Sequence, residues 1–275
     1  MAKAAKKVKS SDSLSSLDNA VPVVLPVAQP PKELDLSVRT PTGIPGFDSL
    51  IEGGFPKGSK ILVEGKAGTG KSIFAMQFLY EGVMRYKEPG IYLSFEQKDV
   101  DIKKQAKQFG WDFDAAGIEV IYKSPSKVKS VQEILEILYT KFRRNGAGRL
   151  VIDSLPALYI NAIGVAAAKE SNSKFFNRKE KEEKLEPKTF LYLLLDMLKF
   201  VPVTTILVTE EIEQNANEMG FTPEYISDGV IKISLEPIGD YARNMVIKKM
   251  RYTKNVSSLQ YVEINDKGIS VHPIS

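Results

Sequence analysis

Residues 65–72 read Gly65-Lys66-Ala67-Gly68-Thr69-Gly70-Lys71-Ser72, and they fit the pattern G-x-x-x-x-G-K-[ST]. The apolar run Lys60–Glu64 precedes them and predicts a buried strand. Ser72–Tyr86 follows, with apolar residues at helical spacing. A strand, a glycine-rich loop and a helix in this order form a phosphate-binding loop, or P-loop. The sequence therefore predicts that residues 65–72 bind a nucleotide.

Each residue type in this loop has a physical reason. Glycines accept positive φ angles and let the backbone approach phosphate oxygens closely. Backbone N–H groups and the N-terminus of the following helix then surround the anion. Lys71 is predicted to reach the β- and γ-phosphates of ATP, and the Ser72 hydroxyl to bind Mg²⁺. The pattern leaves open whether the nucleotide is ATP or GTP.

Two carboxylates follow apolar strands further along the chain. Asp153 ends the run Leu150–Ile152, the arrangement expected of the acid that holds the magnesium ion through water. Glu96 follows the predicted strand Ile91–Phe95, whose carboxyl end faces the ligand crevice in a parallel sheet. A carboxylate there can orient and deprotonate an attacking water. Position alone favours this role no more than that of a surface glutamate.

The whole pattern from residue 38 onward alternates strands with helices, which predicts an α/β fold with a doubly wound, mainly parallel sheet. The remaining predicted helices are Val100–Phe109, Val131–Phe142 and Phe190–Phe200, and the remaining parallel strands are Ile118–Tyr122 and Thr204–Val208. The last fifty or so residues predict an antiparallel extension of the sheet. Its strands are expected at Val230–Leu235, Asn244–Tyr252, Leu259–Ile264 and Ile269–Val271.

Composition excludes several classes of protein. The chain has 275 residues, no cysteine and a single histidine, so neither a disulfide framework nor a Cys/His metal cluster is expected. No apolar run approaches the roughly 18 residues of a membrane span, and the N-terminus lacks the apolar core of a secretory signal. We therefore expect a cytoplasmic protein. The net charge of +4 is weak evidence for nucleic-acid binding, since a few N-terminal lysines produce most of it.

Two segments differ from the rest of the chain. Residues 1–37 are basic and then rich in Ser and Pro, which predicts a disordered tail ahead of the ATPase domain at 38–275. Residues 166–188 carry dense charges of both signs and predict a mobile insertion at the nucleotide side of the sheet. Either segment could contact DNA, but mixed charge in the insertion argues against strong attraction to phosphates.

With these motifs placed, the chain resembles a single-domain member of the KaiC family, of the archaeal type, within the RecA-like P-loop ATPases. The resemblance runs from about Arg39 to the end of the chain. It rests on several separated motifs in the family's order: Thr42-Gly43-Ile44-Pro45-Gly46-Phe47-Asp48, Gly53-Gly54-Phe55-Pro56-Lys57-Gly58, the P-loop, Ser94-Phe95-Glu96, Ile152-Asp153-Ser154, Glu224-Tyr225-Ile226-Ser227-Asp228-Gly229-Val230 and Lys249-Met250-Arg251.

The resemblance implies a homo-oligomeric ring, usually a hexamer, with ATP between neighbouring subunits. It also implies that Lys249 and Arg251 act on the γ-phosphate of the adjacent subunit's ATP. Cations near a transferring phosphoryl group stabilise its charge, so the chemistry agrees. The sequence by itself would favour an ordinary exposed basic strand at these positions. A regulatory or signalling role through an unidentified protein partner is the function that this resemblance implies.

Two departures from the family pattern bear on activity. The family usually has two consecutive carboxylates where this chain has Glu96 and Gln97, and glutamine cannot act as a base. Clock-type members carry a Ser-Thr phosphoacceptor pair where this chain has Glu224 and Tyr225, so autokinase activity of that type is not expected. Three hypotheses remain, in this order: a ring-forming regulatory ATPase, a nucleotide-gated scaffold with little or no hydrolysis, and a DNA-dependent recombinase-like ATPase.

Overall fold

A computed structural model of the chain describes residues 35, 37–128, 130–146, 148–158, 187–211, 223–236 and 242–274. The predicted tail, apart from residues 35 and 37, lies outside the described residues. The same holds for the charged insertion up to residue 186. No helix among the described residues is both long enough and apolar enough to cross a membrane.

The helices and strands alternate along the first two thirds of the described chain. The helices are α1 (Lys71–Tyr86), α2 (Asp99–Gln108), α3 (Val131–Asn145), α4 (Pro187–Leu198) and the single turn α5 (Pro223–Ile226). The strands are β1 (Arg39–Thr40), β2 (Phe55–Pro56), β3 (Lys60–Gly65), β4 (Gly90–Ser94), β5 (Glu119–Tyr122), β6 (Arg149–Asp153), β7 (Thr204–Glu210), β8 (Gly229–Ser234), β9 (Asn244–Met250), β10 (Gln260–Asn265) and β11 (Gly268–Pro273).

Nine of these strands form one sheet in the order β11-β10-β9-β8-β3-β7-β6-β4-β5. The pairs from β8 through β3, β7, β6 and β4 to β5 are all parallel. The pairs β8–β9, β9–β10 and β10–β11 are antiparallel. The predicted α/β fold, mainly parallel with an antiparallel C-terminal extension, is therefore confirmed. β8, which the sequence predicted as the first strand of this extension, pairs with β3 in the parallel direction and with β9 in the antiparallel direction.

Each face of the sheet has its own core. Side chains alternate between the faces along a strand, so Ile61 and Val63 point to one face and Leu62 to the other. The first face packs against α1, and the second packs against α3 and α4. Helices on both sides of one sheet give the doubly wound arrangement that the sequence predicts.

Local sequence explains where the helices begin and end. The side chain of Ser130 accepts a hydrogen bond from the backbone N–H of Glu133 and so caps the start of α3. The helix ends before Gly146, which adopts the left-handed conformation at φ 60°. It continues three residues beyond the predicted end at Phe142 because no helix-breaking residue occurs before Gly146. The short pair β1–β2 was not predicted, since two residues are too few to form a periodic pattern.

Candidate functional site

The P-loop joins β3 to α1 and has the backbone shape that the sequence predicts. Gly65 has a φ of 155°, and a Cβ built there would lie 2.1 Å from the carbonyl oxygen of Ile233. Only glycine fits this position. Gly70, at φ 104°, precedes α1, and no side chain caps the first turn of the helix. The free N–H groups of that turn and the helix dipole favour an anion there.

Lys71 points back into the loop. Its Nζ donates hydrogen bonds of 2.8 Å to the carbonyl oxygens of both Gly65 and Lys66. Burial lowers the pKa of Lys71, while the carboxylates of Glu210, Asp153 and Glu96 raise it. An ammonium surrounded by loop carbonyls and three carboxylates is positioned to meet phosphate oxygens that approach the loop.

Asp153 lies at the end of β6, with its side chain directed to the P-loop. It is 8% exposed. The buried hydroxyl of Tyr92 donates a hydrogen bond to its Oδ2 at 2.5 Å. Burial raises the pKa of Asp153, whereas hydrogen bonds from Tyr92 and Ser72 lower it. The Ser72 hydroxyl therefore lies close enough to the Asp153 carboxylate for one magnesium ion to bind both.

Ser72 and Asp153 fit a magnesium ion that arrives with a nucleotide. Mg²⁺ binds hydroxyl and carboxylate oxygens, and water molecules and substrate phosphates usually provide its remaining ligands. Among the described residues, no group of three His, Cys, Asp or Glu side chains could hold a metal ion. A site with one carboxylate and one hydroxyl suits a nucleotide-bound cation better than a permanently bound one.

Glu96 lies two residues beyond the end of β4 and is exposed. The backbone N–H of Phe95 donates to the carbonyl oxygen of Asp153 at 2.7 Å, which joins this segment to the end of β6. The hydroxyl of Ser154 donates a short hydrogen bond to Oε1 of Glu96. Gln97 is also exposed. The structure thus brings Glu96 to the same edge of the sheet as Lys71, Ser72 and Asp153.

Lys249 and Arg251, called the basic pair below, lie at the opposite ends of the strands from the P-loop. β9 runs antiparallel to β8, and Met250 pairs with Gly229, which pairs with Ile61 near the start of β3. The P-loop follows the opposite end of β3. Gly65 comes four positions after Ile61, which is about 13 Å along a strand. The basic pair is therefore not part of the cluster around its own P-loop.

The basic pair is held by the segment that includes α5. Nζ of Lys249 donates to the carbonyl oxygens of Glu224 at 2.9 Å and Ser227 at 2.6 Å. Arg251 contacts Oδ1 of Asp228 at 3.4 Å, and its side chain remains 44% exposed. Burial lowers the pKa of Lys249, and the nearby Arg251 cation acts in the same direction. Both cations are fixed at a surface that a second molecule could reach.

Three residues at the P-loop edge were not predicted. Tyr92 lies inside β4, where its hydroxyl reaches Asp153. Glu210 ends β7 and pairs in register with Gly65, and Arg243 donates to the carbonyl oxygen of Gly68 at 3.4 Å. The acid after an apolar strand was the available signal for Glu210, as it was for Asp153. Arg243 has no comparable signal, because its position depends on the antiparallel pairing of β9.

Comparisons with known proteins identify relatives of this chain. A UPF0273 protein of Methanocaldococcus jannaschii is 32% identical over 257 residues, covering 86% of this chain and 96% of that protein. The circadian clock oscillator protein KaiC of Parathermosynechococcus lividus is 31% identical over 248 residues, which cover 85% of this chain and 42% of that protein. The crystal structure of a KaiC-like protein from Pyrococcus horikoshii superposes with a TM-score of 0.68 at 34% identity, covering 86% of this chain and 99% of the other.

A family model described as the KaiC ATPase matches residues 40–275. This range includes every strand of the large sheet, the P-loop and both predicted carboxylates. The solved relative extends the match to the three-dimensional fold. The chain therefore belongs to the KaiC ATPase family and has its RecA-like P-loop fold.

Proposed function

We propose that the chain binds ATP with Mg²⁺ at the P-loop and hydrolyses it. The observation that carries this proposal is that the Asp153 carboxylate, the Ser72 hydroxyl and the Lys71 ammonium lie together where the P-loop strand ends. These three groups would supply two magnesium ligands and a cation that binds phosphate. Hydrolysis of the β–γ bond releases phosphate, and the bound magnesium would neutralise charge on the phosphate oxygens.

Glu96 is the proposed general base. It is exposed at the P-loop edge, so a water can reach it, and the Ser154 hydroxyl fixes its orientation. A carboxylate held in this way can align an attacking water and take its proton. The backbone of residues 65–72 and the Lys71 ammonium would bind the phosphates, and Arg243 adds a cation beside Gly68.

We further propose that the basic pair acts on the ATP of a neighbouring subunit in a homo-oligomeric ring. The support is its place at the sheet edge opposite its own P-loop, where it cannot reach its own nucleotide. A ring with the nucleotide between subunits would bring Lys249 and Arg251 of one copy to the γ-phosphate of the next. A change in the shape of the ring with nucleotide state would then alter its binding to a protein partner in the cytoplasm.

The direct test is steady-state phosphate release from Mg·ATP, with GTP in parallel and with or without single-stranded DNA. We expect release that does not depend on DNA and that Lys71→Ala abolishes. Glu96→Gln should lower kcat by about 100-fold or more while nucleotide still binds. Strong stimulation by DNA would support the recombinase-like function instead.

The second candidate is a nucleotide-gated scaffold. The observation that favours it is Gln97, which gives this chain one acid where the family usually has two. ATP binding without phosphate release, in both the presence and absence of DNA, would support this function. Oligomerisation that requires only bound ATP, measured by light scattering with a non-hydrolysable analogue, would then identify the scaffold.

A further inference from the structure

Glu210 extends the strand that lies between the P-loop strand and the strand of Asp153. β7 pairs with β3 on one side and with β6 on the other. Its register places Glu210 beside Gly65, the first residue of the P-loop, and Val208 beside Asp153. Asp153 is level with Val208, and Glu210 lies two residues further along β7 toward the P-loop.

The side chain of Glu210 points to the face of the sheet that carries the P-loop helix. Residues two apart on a strand face the same way, so Glu210 shares its face with Val208. Val208 packs in the core beneath α1, with Phe74 and Phe78. Asp153 is paired with Val208 and faces the same side. The carboxylates of Asp153 and Glu210 therefore border the same cleft.

Glu210 lies close to the Lys71 ammonium, because it pairs with Gly65, whose carbonyl oxygen accepts a hydrogen bond from Nζ of Lys71. The negative charges of Glu210, Asp153 and Glu96 all attract this ammonium. Within the described parts of the chain, no ion pair or hydrogen bond engages the carboxylate of Glu210. One ammonium thus faces three carboxylates, an arrangement that repels a triphosphate without its metal and attracts a divalent cation.

The adjacent acid has a different environment. Glu211 forms an ion pair with Lys232 at 2.5 Å. Attraction to Lys232 lowers the pKa of Glu211, and Lys248 and Lys66 act in the same direction. Lys232 on β8 therefore already neutralises the charge of Glu211. Glu211 provides a matched control, since it differs from Glu210 by one position and by its pairing.

We propose that Glu210 makes the site selective for magnesium-bound nucleotide over free nucleotide. Its carboxylate would accept hydrogen bonds from water molecules that remain on the Mg²⁺ ion, and it would repel phosphates that arrive without one. Glu210 would in this way add a carboxylate to the cleft that already holds Asp153 and Glu96. The inference rests on the proposed nucleotide site and does not require hydrolysis.

The test measures affinity for a non-hydrolysable ATP analogue by calorimetry, once with Mg²⁺ and once with EDTA. The ratio of the two dissociation constants gives the magnesium preference. We expect Glu210→Gln to reduce this preference by about 10-fold, through weaker binding with Mg²⁺, tighter binding without it, or both. Glu211→Gln should leave the ratio at its wild-type value. Circular dichroism confirms that both variants fold.

The outcomes separate the two proposals. If the wild-type protein binds the analogue but Glu210→Gln keeps the wild-type ratio, the role of Glu210 is wrong and the nucleotide site stands. An equal loss in Glu211→Gln would also overturn it, because general surface charge would then explain the effect. If the wild-type protein binds no nucleotide in either condition, the proposed function fails, and the role of Glu210 with it.

Discussion

The hydroxyl of Tyr92 donates a hydrogen bond to Oδ2 of Asp153 at 2.5 Å in the interior of the sheet. The two residues lie on neighbouring strands, β4 and β6, and Tyr92 is almost fully buried. The bond occupies Oδ2 of the carboxylate, and the Ser72 hydroxyl lies close to the same carboxylate. A partner of this kind fixes the orientation of a carboxylate that is to hold a metal ion.

Removal of that hydroxyl tests its part in magnesium binding. Tyr92→Phe keeps the ring in its packed position and deletes only the hydrogen bond. We expect the magnesium concentration for half-maximal binding of a non-hydrolysable nucleotide to rise by about 10-fold. Tyr86→Phe, at a half-exposed position, is the control and should not change it. An unchanged magnesium dependence in Tyr92→Phe would mean that Asp153 is oriented by other contacts.

The hydrogen bond between Ser154 and Glu96 predicts a kinetic effect. Ser154→Ala removes the donor that orients the proposed base but leaves its charge in place. We expect kcat for ATP hydrolysis to fall by about 10-fold, with little change in KM, because the water is aligned less often. Ser124→Ala, on the loop that precedes α3, serves as the control. A rise in KM with constant kcat would instead assign Ser154 to nucleotide binding.

The ammonium of Lys60 predicts an effect on stability. Lys60 is 3% exposed, and its Nζ donates to the carbonyl oxygens of Gly58, Val201 and Val203 at 2.7 to 2.8 Å. Lys60→Met fills a similar volume but removes one donor from each of the three carbonyls. The backbone N–H of Val203 and the hydroxyl of Thr205 still donate to the carbonyl oxygens of Val201 and Val203, whereas that of Gly58 loses its side-chain donor. We expect the free energy of unfolding in urea to fall by about 3 kcal/mol.

The matched substitution at an exposed lysine distinguishes this effect from a general loss of charge. Lys57→Met changes the same residue type three positions earlier, at an exposed site. Its free energy of unfolding should change by less than about 0.5 kcal/mol. A loss in Lys60→Met no larger than that in Lys57→Met would show that water replaces the missing donor at the three carbonyls.

Much of the fold follows from local pattern. The P-loop, its strand and its helix were predictable because glycine positions, an apolar strand and an amphipathic helix occur in one continuous segment. Asp153 and Glu96 could be placed at one sheet edge because parallel strands end on the same side. The ends of several predicted elements differ from the structure by one to three residues, as at α3, where Gly146 stops the helix.

The unpredicted features depend on contacts between distant segments. Arg149 appears in the sequence as a charged residue before a strand, yet it is fully buried and donates to the carbonyl oxygens of Phe78 and Pro41. Glu210 and Arg243 reach the P-loop only through the strand order, which no local pattern contains. The distance of the basic pair from its own P-loop likewise could not be predicted, because it depends on the antiparallel register of β9.

The central claim is that each nucleotide site combines the P-loop of one subunit with the basic pair of the next, and mixing two inactive variants tests it directly. Glu96→Gln retains the basic pair, and Arg251→Ala retains Glu96. In rings mixed at random from equal amounts, about a quarter of the interfaces join an intact Glu96 to an intact Arg251. We predict phosphate release at about that fraction of the wild-type rate, well above either variant alone. A mixture no more active than its two components would contradict the claim.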